Sequence, residues 1–253
     1  MKIVVAIKQV PSRESLLKVN PSATWVEDGD LSYEINEPDA YALEQGLLLK
    51  EEHGGEVVVI CAGPERVSQT IREALAKGAD RAIHVETEEG SEFDPLTLAR
   101  MLAKALDGES PDLVLTGLQS DDYGYGQTGV ILAEVLAIPS ATIVMSVAVI
   151  DSGIKVKREL EDGWFQHVEM PLPALLTIQS GATKLRYATL MGIKKAKSKE
   201  VKQVSIDVAA SDSIRVDRVY MPEKSKRSQL IEGDAKQAAA TLVEKLRFEA
   251  RVI

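Results

Sequence analysis

A glycine-rich stretch at residues 117–129 (GLQSDDYGYGQTG) has the residue types that could hold a nucleotide. Its four glycines permit tight turns and leave backbone amide groups exposed. Gln127 and Thr128 stand where the next helix is predicted to begin, and free N–H groups and the helix dipole favour a phosphate there. Ser120 and Asp122 could hydrogen-bond a ribose. A flexible connecting loop explains the glycines about equally well, because glycine-rich loops are common.

Three further segments are expected to meet this stretch at one edge of a sheet. They are residues 6–11, 36–39 and 61–64, and each follows a predicted strand or opens a predicted helix. Ligands of open α/β sheets bind beyond the carboxyl ends of the strands, where the strand order reverses. Ala6 and Ala62 are small enough to let the backbone approach a flat base. If the four segments meet there, they could form a nucleotide site, and the connecting-loop interpretation of residues 117–129 stays open at this point.

Signatures of catalysis and of metal binding are missing from the sequence. No G-x-G-x-x-G follows the first strand, and no Walker-type G-x-x-x-x-G-K-[ST] occurs. His53, His84 and His167 lie in unrelated contexts without metal-ligand spacing, and we expect His84 to be structural. Cys61 has no obvious activating base and is expected to be buried and inert. We therefore predict no catalytic set and no metal site, which favours a binding or carrier subunit over a self-sufficient hydrolase.

Composition and charge restrict the class of protein further. The chain has 253 residues, a net charge of −9 and 4% aromatic residues. The acidic charge argues against a nucleic-acid binder, and so few aromatic side chains provide no stacking platform for single strands. The single cysteine cannot form an internal disulfide, which fits a reducing compartment. Because no apolar run reaches membrane-spanning length, we expect a cytoplasmic protein without membrane insertion.

Short apolar runs alternate with helical stretches through the first 140 residues. Residues 2–8, 56–61, 81–85 and 112–116 are nearly continuous apolar runs, as expected of parallel strands covered on both faces. Between them, apolar residues recur at helical spacing after start signals such as the Asp-Pro pair at 94–95. Repeated βαβ units predict an α/β fold with a doubly wound, mostly parallel, Rossmann-like sheet.

The pattern changes after residue 138. Residues 154–159 and 164–170 alternate polar and apolar side chains around Asp162-Gly163, which predicts an antiparallel hairpin. The lysine-rich stretch 194–202 has almost no core-forming residues, and residues 213–220 could form a short strand.

A helix is predicted over residues 234–249. It could fold back on its own domain, which is the usual way to bury an amphipathic face, or lie along a partner. We divide the chain into an α/β nucleotide-binding domain at 1–190 and a segment at 191–253. That segment would hold a loop end, a linker and an extended C-terminal arm.

Residues 156–177 (VKRELEDGWFQHVEMPLPALLT) closely resemble the signature of the electron-transfer flavoprotein β subunit. The pattern is Arg158, an acidic turn, then Gln166 and Val168, and finally Pro173 ahead of LLT. The resemblance extends to VAIKQVP at the start, INEPDAYALE, QTIREALAKGADRAIHV, the loop ending QTG, and RYATL before the lysine-rich stretch. It covers nearly the whole chain.

The resemblance implies a heterodimeric electron carrier without catalytic residues of its own. In that family the α subunit holds most of the FAD, and the β subunit binds AMP as a structural nucleotide. The complex accepts electrons from flavoprotein dehydrogenases and passes them on, often towards a quinone oxidoreductase. Electron-bifurcating relatives bind a second FAD in place of AMP, but the Gln127-Thr128 ending looks like the AMP-binding kind. A stand-alone α/β nucleotide-binding protein is the other alternative.

The resemblance also implies roles for individual residues. The C-terminal arm would wrap the α subunit, and Leu190 would anchor the complex on partner dehydrogenases. The residues that would bind AMP are Ala6, Asn36, Glu37, Pro38, Asp39, Ala62, Gly117, Gln119, Ser120, Asp121, Asp122, Gly124, Gly126, Gln127 and Thr128.

Overall fold

A large sheet organises the computed structural model, which describes residues 1–91, 93–211, 213–214, 216–222 and 228–253. The described strands are β1 (Lys2–Ala6), β2 (Gln9–Pro11), β3 (Tyr33–Ile35), β4 (Glu56–Gly63), β5 (Arg81–Glu86), β6 (Leu113–Gly117), β7 (Ser140–Ile150), β8 (Gly153–Glu159), β9 (Phe165–Met170), β10 (Ala174–Ile178) and β11 (Val201–Ser205). The described helices are α1 (Glu37–His53), α2 (Ser68–Lys77), α3 (Pro95–Ala105), α4 (Thr128–Val135), α5 (Leu190–Ala196) and α6 (Ala235–Lys245).

Nine of the described strands form one sheet in the order β11-β5-β4-β1-β6-β10-β7-β8-β9. Neighbours from β11 to β7 are parallel, whereas β8 pairs antiparallel with both β7 and β9. Asp162 and Gly163 turn this hairpin with φ angles of 56° and 77°. β2 and β3 pair separately as a small antiparallel ribbon. The predicted α/β class, with a mostly parallel sheet and an antiparallel hairpin, is confirmed.

The central strands are apolar on both faces because helices cover both faces. Ile3 and Val5 of β1 contribute to one core together with Leu43 of α1. Val4 contributes to a second core, on the opposite face, together with Leu102 of α3. Successive side chains of a strand point to opposite faces, so two cores require the unbroken apolar runs seen in the sequence.

Two elements beyond residue 190 were not predicted. The lysine-rich stretch contains the last three residues of α5, and β11 then pairs with β5 at the edge of the large sheet. Only one side of an edge strand is paired, and Lys202 and Gln203 of β11 are exposed, so its sequence lacks a strong apolar pattern. The division of the chain at residue 190 remains a prediction, although the sheet takes its edge strand from beyond it. Residues 213–220 contain no strand in their described part, and residue 215 lies outside the described residues.

The last helix, α6, begins one residue after its cap Asp234 and continues into a π-helical turn at Leu246–Ala250. None of the residues of α6 is buried, and Leu242, Val243 and Phe248 expose much of their side chains. The helix therefore does not bury its apolar side chains against its own chain. Across the described ranges, every helix is too short or too polar to cross a bilayer.

Two aspartate caps allow a test of which helices support the fold. Asp94 caps α3 by accepting a hydrogen bond from Thr97 N at 2.7 Å, and Asp234 caps α6 by accepting one from Gln237 N at 2.8 Å. We expect Asp94→Ala to lower the free energy of unfolding by about 1 kcal/mol, because α3 packs in a core. Asp234→Ala should change it by less than about 0.5 kcal/mol, because α6 buries nothing. Urea unfolding followed by circular dichroism measures both, and equal losses would contradict this expectation.

Candidate nucleotide site

A cavity of about 480 Å³ lies at the carboxyl ends of β1, β4 and β6. The chain runs from β1 to β4 and β5 on one side, and then returns to β6 on the other side of β1. The cavity therefore lies at the point where the strand order reverses, which is where sheets of this kind bind their ligands.

Most of the site residues predicted from the sequence line this cavity. They are Ala6, Asn36, Asp39, Ala62, Gly117, Gln119, Ser120, Asp122, Gly126, Gln127 and Thr128. In the described structure, Glu37, Pro38, Asp121 and Gly124 are not part of the lining. Arg13 forms ion pairs with the carboxylates of Glu37 and Asp121 instead. The contacts of all these residues with a ligand remain predictions.

The carboxylate of Asp39 joins the ends of two neighbouring strands. One oxygen accepts a hydrogen bond from Lys8 N at 2.8 Å, and the other accepts one from Gly117 N at 2.9 Å. Asp39 reaches both because it lies in the first turn of α1, directly behind the strand ends. Burial raises the pKa of Asp39 to about 7, and the two N–H donors oppose that shift. This carboxylate fixes the innermost wall of the cavity.

Asn36 holds the glycine-rich loop against the start of α1. Its side-chain nitrogen donates to the carbonyl oxygen of Gln119 at 2.9 Å, and its side-chain oxygen accepts from Asp121 N at 2.8 Å. Asn36 occupies the N-cap position of α1 but caps the loop rather than its own helix. The loop entering the cavity is therefore fixed at two backbone groups.

The second half of the loop supplies turns and free N–H groups. Gly124 and Gly126 have φ angles of 63° and 62°, which residues other than glycine rarely adopt. The loop then enters α4 at Thr128, and no described side chain caps this N-terminus. The first N–H groups of α4 are therefore available to an anion in the cavity.

An aromatic stack that was not predicted from the sequence forms another part of the cavity lining. Trp25 stacks on Tyr123 with 4.8 Å between ring centroids, and Tyr123 stacks on Tyr125 at 5.4 Å. Lys8 Nζ lies 4.7 Å from the centroid of the Tyr123 ring and 2.6 Å from the Asp122 carboxylate. Aromatic residues are rare in this chain, so the presence of two tyrosines within one glycine-rich loop could have indicated an aromatic stack there. Nothing local in the sequence connects Trp25 to that loop.

Two other titratable groups near the cavity are buried. Burial raises the pKa of Cys61 to about 12, so its thiol stays protonated at neutral pH. His84 is fully buried and donates from Nε2 to the carbonyl oxygen of Gly63 at 2.8 Å, in agreement with a structural role. Within the described residues, no group of His, Cys, Asp and Glu side chains could hold a metal ion.

These features fit an adenine mononucleotide. The uncapped start of α4 and the ammonium group of Lys8 suit a phosphate, and Ala6 and Ala62 leave the strand ends open to a flat base. Position 129 requires glycine, because an added Cβ would lie 2.5 Å from Thr116 Oγ1.

Leu190 lies apart from the cavity, as the first residue of α5. Thr189 caps this helix by accepting a hydrogen bond from Gly192 N at 3.0 Å. Leu190 is 89% exposed, and Tyr187 and Met191 beside it are also exposed. We call Tyr187, Leu190 and Met191 the apolar ridge.

The chain matches a known protein family and several of its members. The model of the electron transfer flavoprotein domain matches residues 24–209. The chain belongs to the electron transfer flavoprotein family. It is 38% identical to the electron transfer flavoprotein subunit beta of Methylophilus methylotrophus, with 96% of this chain and 97% of that protein covered. It is 36% identical to the mitochondrial subunit beta of Arabidopsis thaliana over both full lengths, and 37% identical to the Homo sapiens subunit beta over 81% of each.

Gly117→Ala tests the wall of the cavity in this member of the family. The new Cβ would lie 2.4 Å from the Asp39 carboxylate and 2.7 Å from Asp39 N, so the strand end must move away. We expect the free energy of unfolding to fall by about 1–3 kcal/mol. Nucleotide affinity should fall roughly tenfold or more because the site is displaced. Gly29→Ala is the control, because no atom lies within 4 Å of its added Cβ. Unchanged affinity in Gly117→Ala would refute this role of Gly117.

The raised pKa of Asp39 predicts a pH dependence of stability. The folded chain holds this proton up to about pH 7, whereas the unfolded chain releases it near the ordinary value of 3.8. The folded state therefore binds more protons between these values, and the free energy of unfolding falls as the pH rises through that interval. We expect the decrease to be smaller in Asp39→Asn. Urea unfolding at several pH values measures both slopes, and identical slopes would rule out a raised pKa.

Proposed function

We propose that this chain is the β subunit of a heterodimeric electron transfer flavoprotein and binds AMP structurally in the cavity. The complex would carry electrons from flavoprotein dehydrogenases to an acceptor such as a quinone oxidoreductase, in the cytoplasm. The observation that carries the proposal is the cavity at the strand ends, with its glycine-rich loop and uncapped α4, in a chain of this family.

The cavity supports AMP as the ligand through its polar groups. The N–H groups at the start of α4 and the ammonium group of Lys8 would hold the phosphate, while the small residues Ala6 and Ala62 admit the adenine. The Asp39 and Asn36 hydrogen bonds keep these groups in place before a ligand arrives. A prepared site of this kind suits a nucleotide that stays bound as part of the structure.

The electron-carrying role rests on a partner chain. The relatives named above are electron transfer flavoprotein subunits. The resemblance implies that FAD would supply the redox chemistry and that the α subunit would hold most of it. The exposed apolar side chains of α6 support an arm that lies along that subunit, because a helix buries such a face when it can. Leu190 and the apolar ridge would contact dehydrogenases.

Nucleotide analysis of the intact complex tests the proposal. The chain is co-expressed with its α subunit, purified and denatured, and the released nucleotides are quantified by mass spectrometry. We expect one AMP and one FAD for each heterodimer. Two FAD and no AMP would instead indicate the electron-bifurcating type. A stable, colourless chain that binds no α subunit and releases no nucleotide would refute the proposal.

A further inference from the structure

Arg186 ties the segment before the apolar ridge to α1. Its Nε donates to Glu44 Oε2 at 2.8 Å, its Nη2 donates to Glu44 Oε1 at 2.9 Å, and its Nη1 donates to Glu51 Oε1 at 2.6 Å. The Glu44 side chain is only 6% exposed, and Arg186 is its ion-pair partner. Hydrogen bonds to both carboxylates raise the pKa of Arg186, and its charge is permanent. One guanidinium thus holds two positions of α1 that lie about two turns apart.

The residues that follow Arg186 point away from the molecule. Tyr187 is 92% exposed, and Leu190 and Met191 are exposed three and four residues later. Arg186, which binds two carboxylates, directly precedes the apolar ridge, and the side chains of the ridge are exposed. Ala196 at the end of α5 belongs to a core, whereas Tyr187, Leu190 and Met191 belong to neither core.

The other end of the ridge is held on α2. Gly192 approaches α2 so closely that an added Cβ would lie 2.3 Å from the carbonyl oxygen of Ala76. Arg72 of α2 donates to the carbonyl oxygens of Ala196 and Lys199, at 2.7 and 3.0 Å. Lys199 in turn donates to the carbonyl oxygen of Leu75 at 2.9 Å. The ridge is therefore fixed at both ends, on two different helices.

We propose that Arg186 is a positioning residue, which fixes the apolar ridge on α1 in the orientation that a flavoprotein dehydrogenase meets. This inference rests on the proposed function and deepens it. Side chains that are already ordered lose less conformational freedom on binding, so a fixed ridge binds a complementary apolar pocket more tightly than a mobile one. Arg186 itself lies beneath the ridge and need not contact the dehydrogenase.

The test uses the purified heterodimer and a purified flavoprotein dehydrogenase from the same organism that reduces the flavin of the wild-type complex. Flavin reduction is followed by absorbance while the heterodimer concentration is varied. We expect Arg186→Gln to raise KM roughly tenfold while kcat is kept, because docking is weakened and the redox centres are unchanged. Arg186→Lys keeps the charge but cannot bind both carboxylates bidentately, so it should lie between Arg186→Gln and wild type.

Arg81→Gln is the matched control. Arg81 also binds two carboxylates, those of Glu56 and Glu109, but neither of these partners lies on α1, α2 or α5. We expect Arg81→Gln to lower the free energy of unfolding about as much as Arg186→Gln does, and to leave KM unchanged. An equal rise of KM in Arg81→Gln and Arg186→Gln would overturn the inference, since general destabilisation would then explain both. Faster hydrogen exchange at the Gly192 amide in Arg186→Gln alone would support it.

Leu190→Ala separates this inference from the proposed function. If Leu190→Ala raises KM and Arg186→Gln does not, docking through the ridge stands and the positioning role of Arg186 is refuted. If no flavoprotein dehydrogenase of the organism reduces the wild-type complex, although dithionite does, the proposed function fails and the positioning role fails with it.

Discussion

The paired hydrogen bonds of Asp39 are the interaction on which the site depends. Parallel strands next to a reversal of strand order separate at their ends, because the helices that follow them leave towards opposite faces of the sheet. The N–H groups of Lys8 and Gly117 lie just where the ladder between β1 and β6 stops. A single carboxylate satisfies both, and this leaves an opening of defined width between the strands. The close approach of Asp39 is also the reason that residue 117 has no side chain.

Helix α1 contacts both the cavity and the residue that precedes the apolar ridge. Asp39 in its first turn faces the cavity, whereas Glu44 in the middle and Glu51 near the end hold Arg186. The helix has 17 residues, and at 1.5 Å for each residue it is about 25 Å long. One element therefore contributes both to the wall of the cavity and to the support of the apolar ridge.

The fold was largely predictable because its signals are local. The unbroken apolar runs of the central strands, the Asp94 cap and the Asp162-Gly163 turn each lie within a few residues of sequence. The edge strand β11 was missed since a strand paired on one side needs little apolar pattern.

The general position of the site was also predictable, because the ends of parallel strands must share one edge of the sheet. Its detailed contacts were not. Trp25 stacks on Tyr123, and Arg186 binds Glu44, across separations of many residues and without any periodic pattern. Such pairs exist only after the sheet has formed, so local sequence carries no trace of them.

The position of Trp25 also gives the molecule an optical property. The chain has two tryptophans, and the other, Trp164, is 72% exposed on the hairpin turn far along the chain. Indole emission depends on the polarity of its surroundings and on neighbouring rings, so the two residues report from different environments. The stacked indole lines the cavity itself. The protein therefore carries an intrinsic fluorophore in the wall of its own cavity, and a second one in solvent against which the first can be compared.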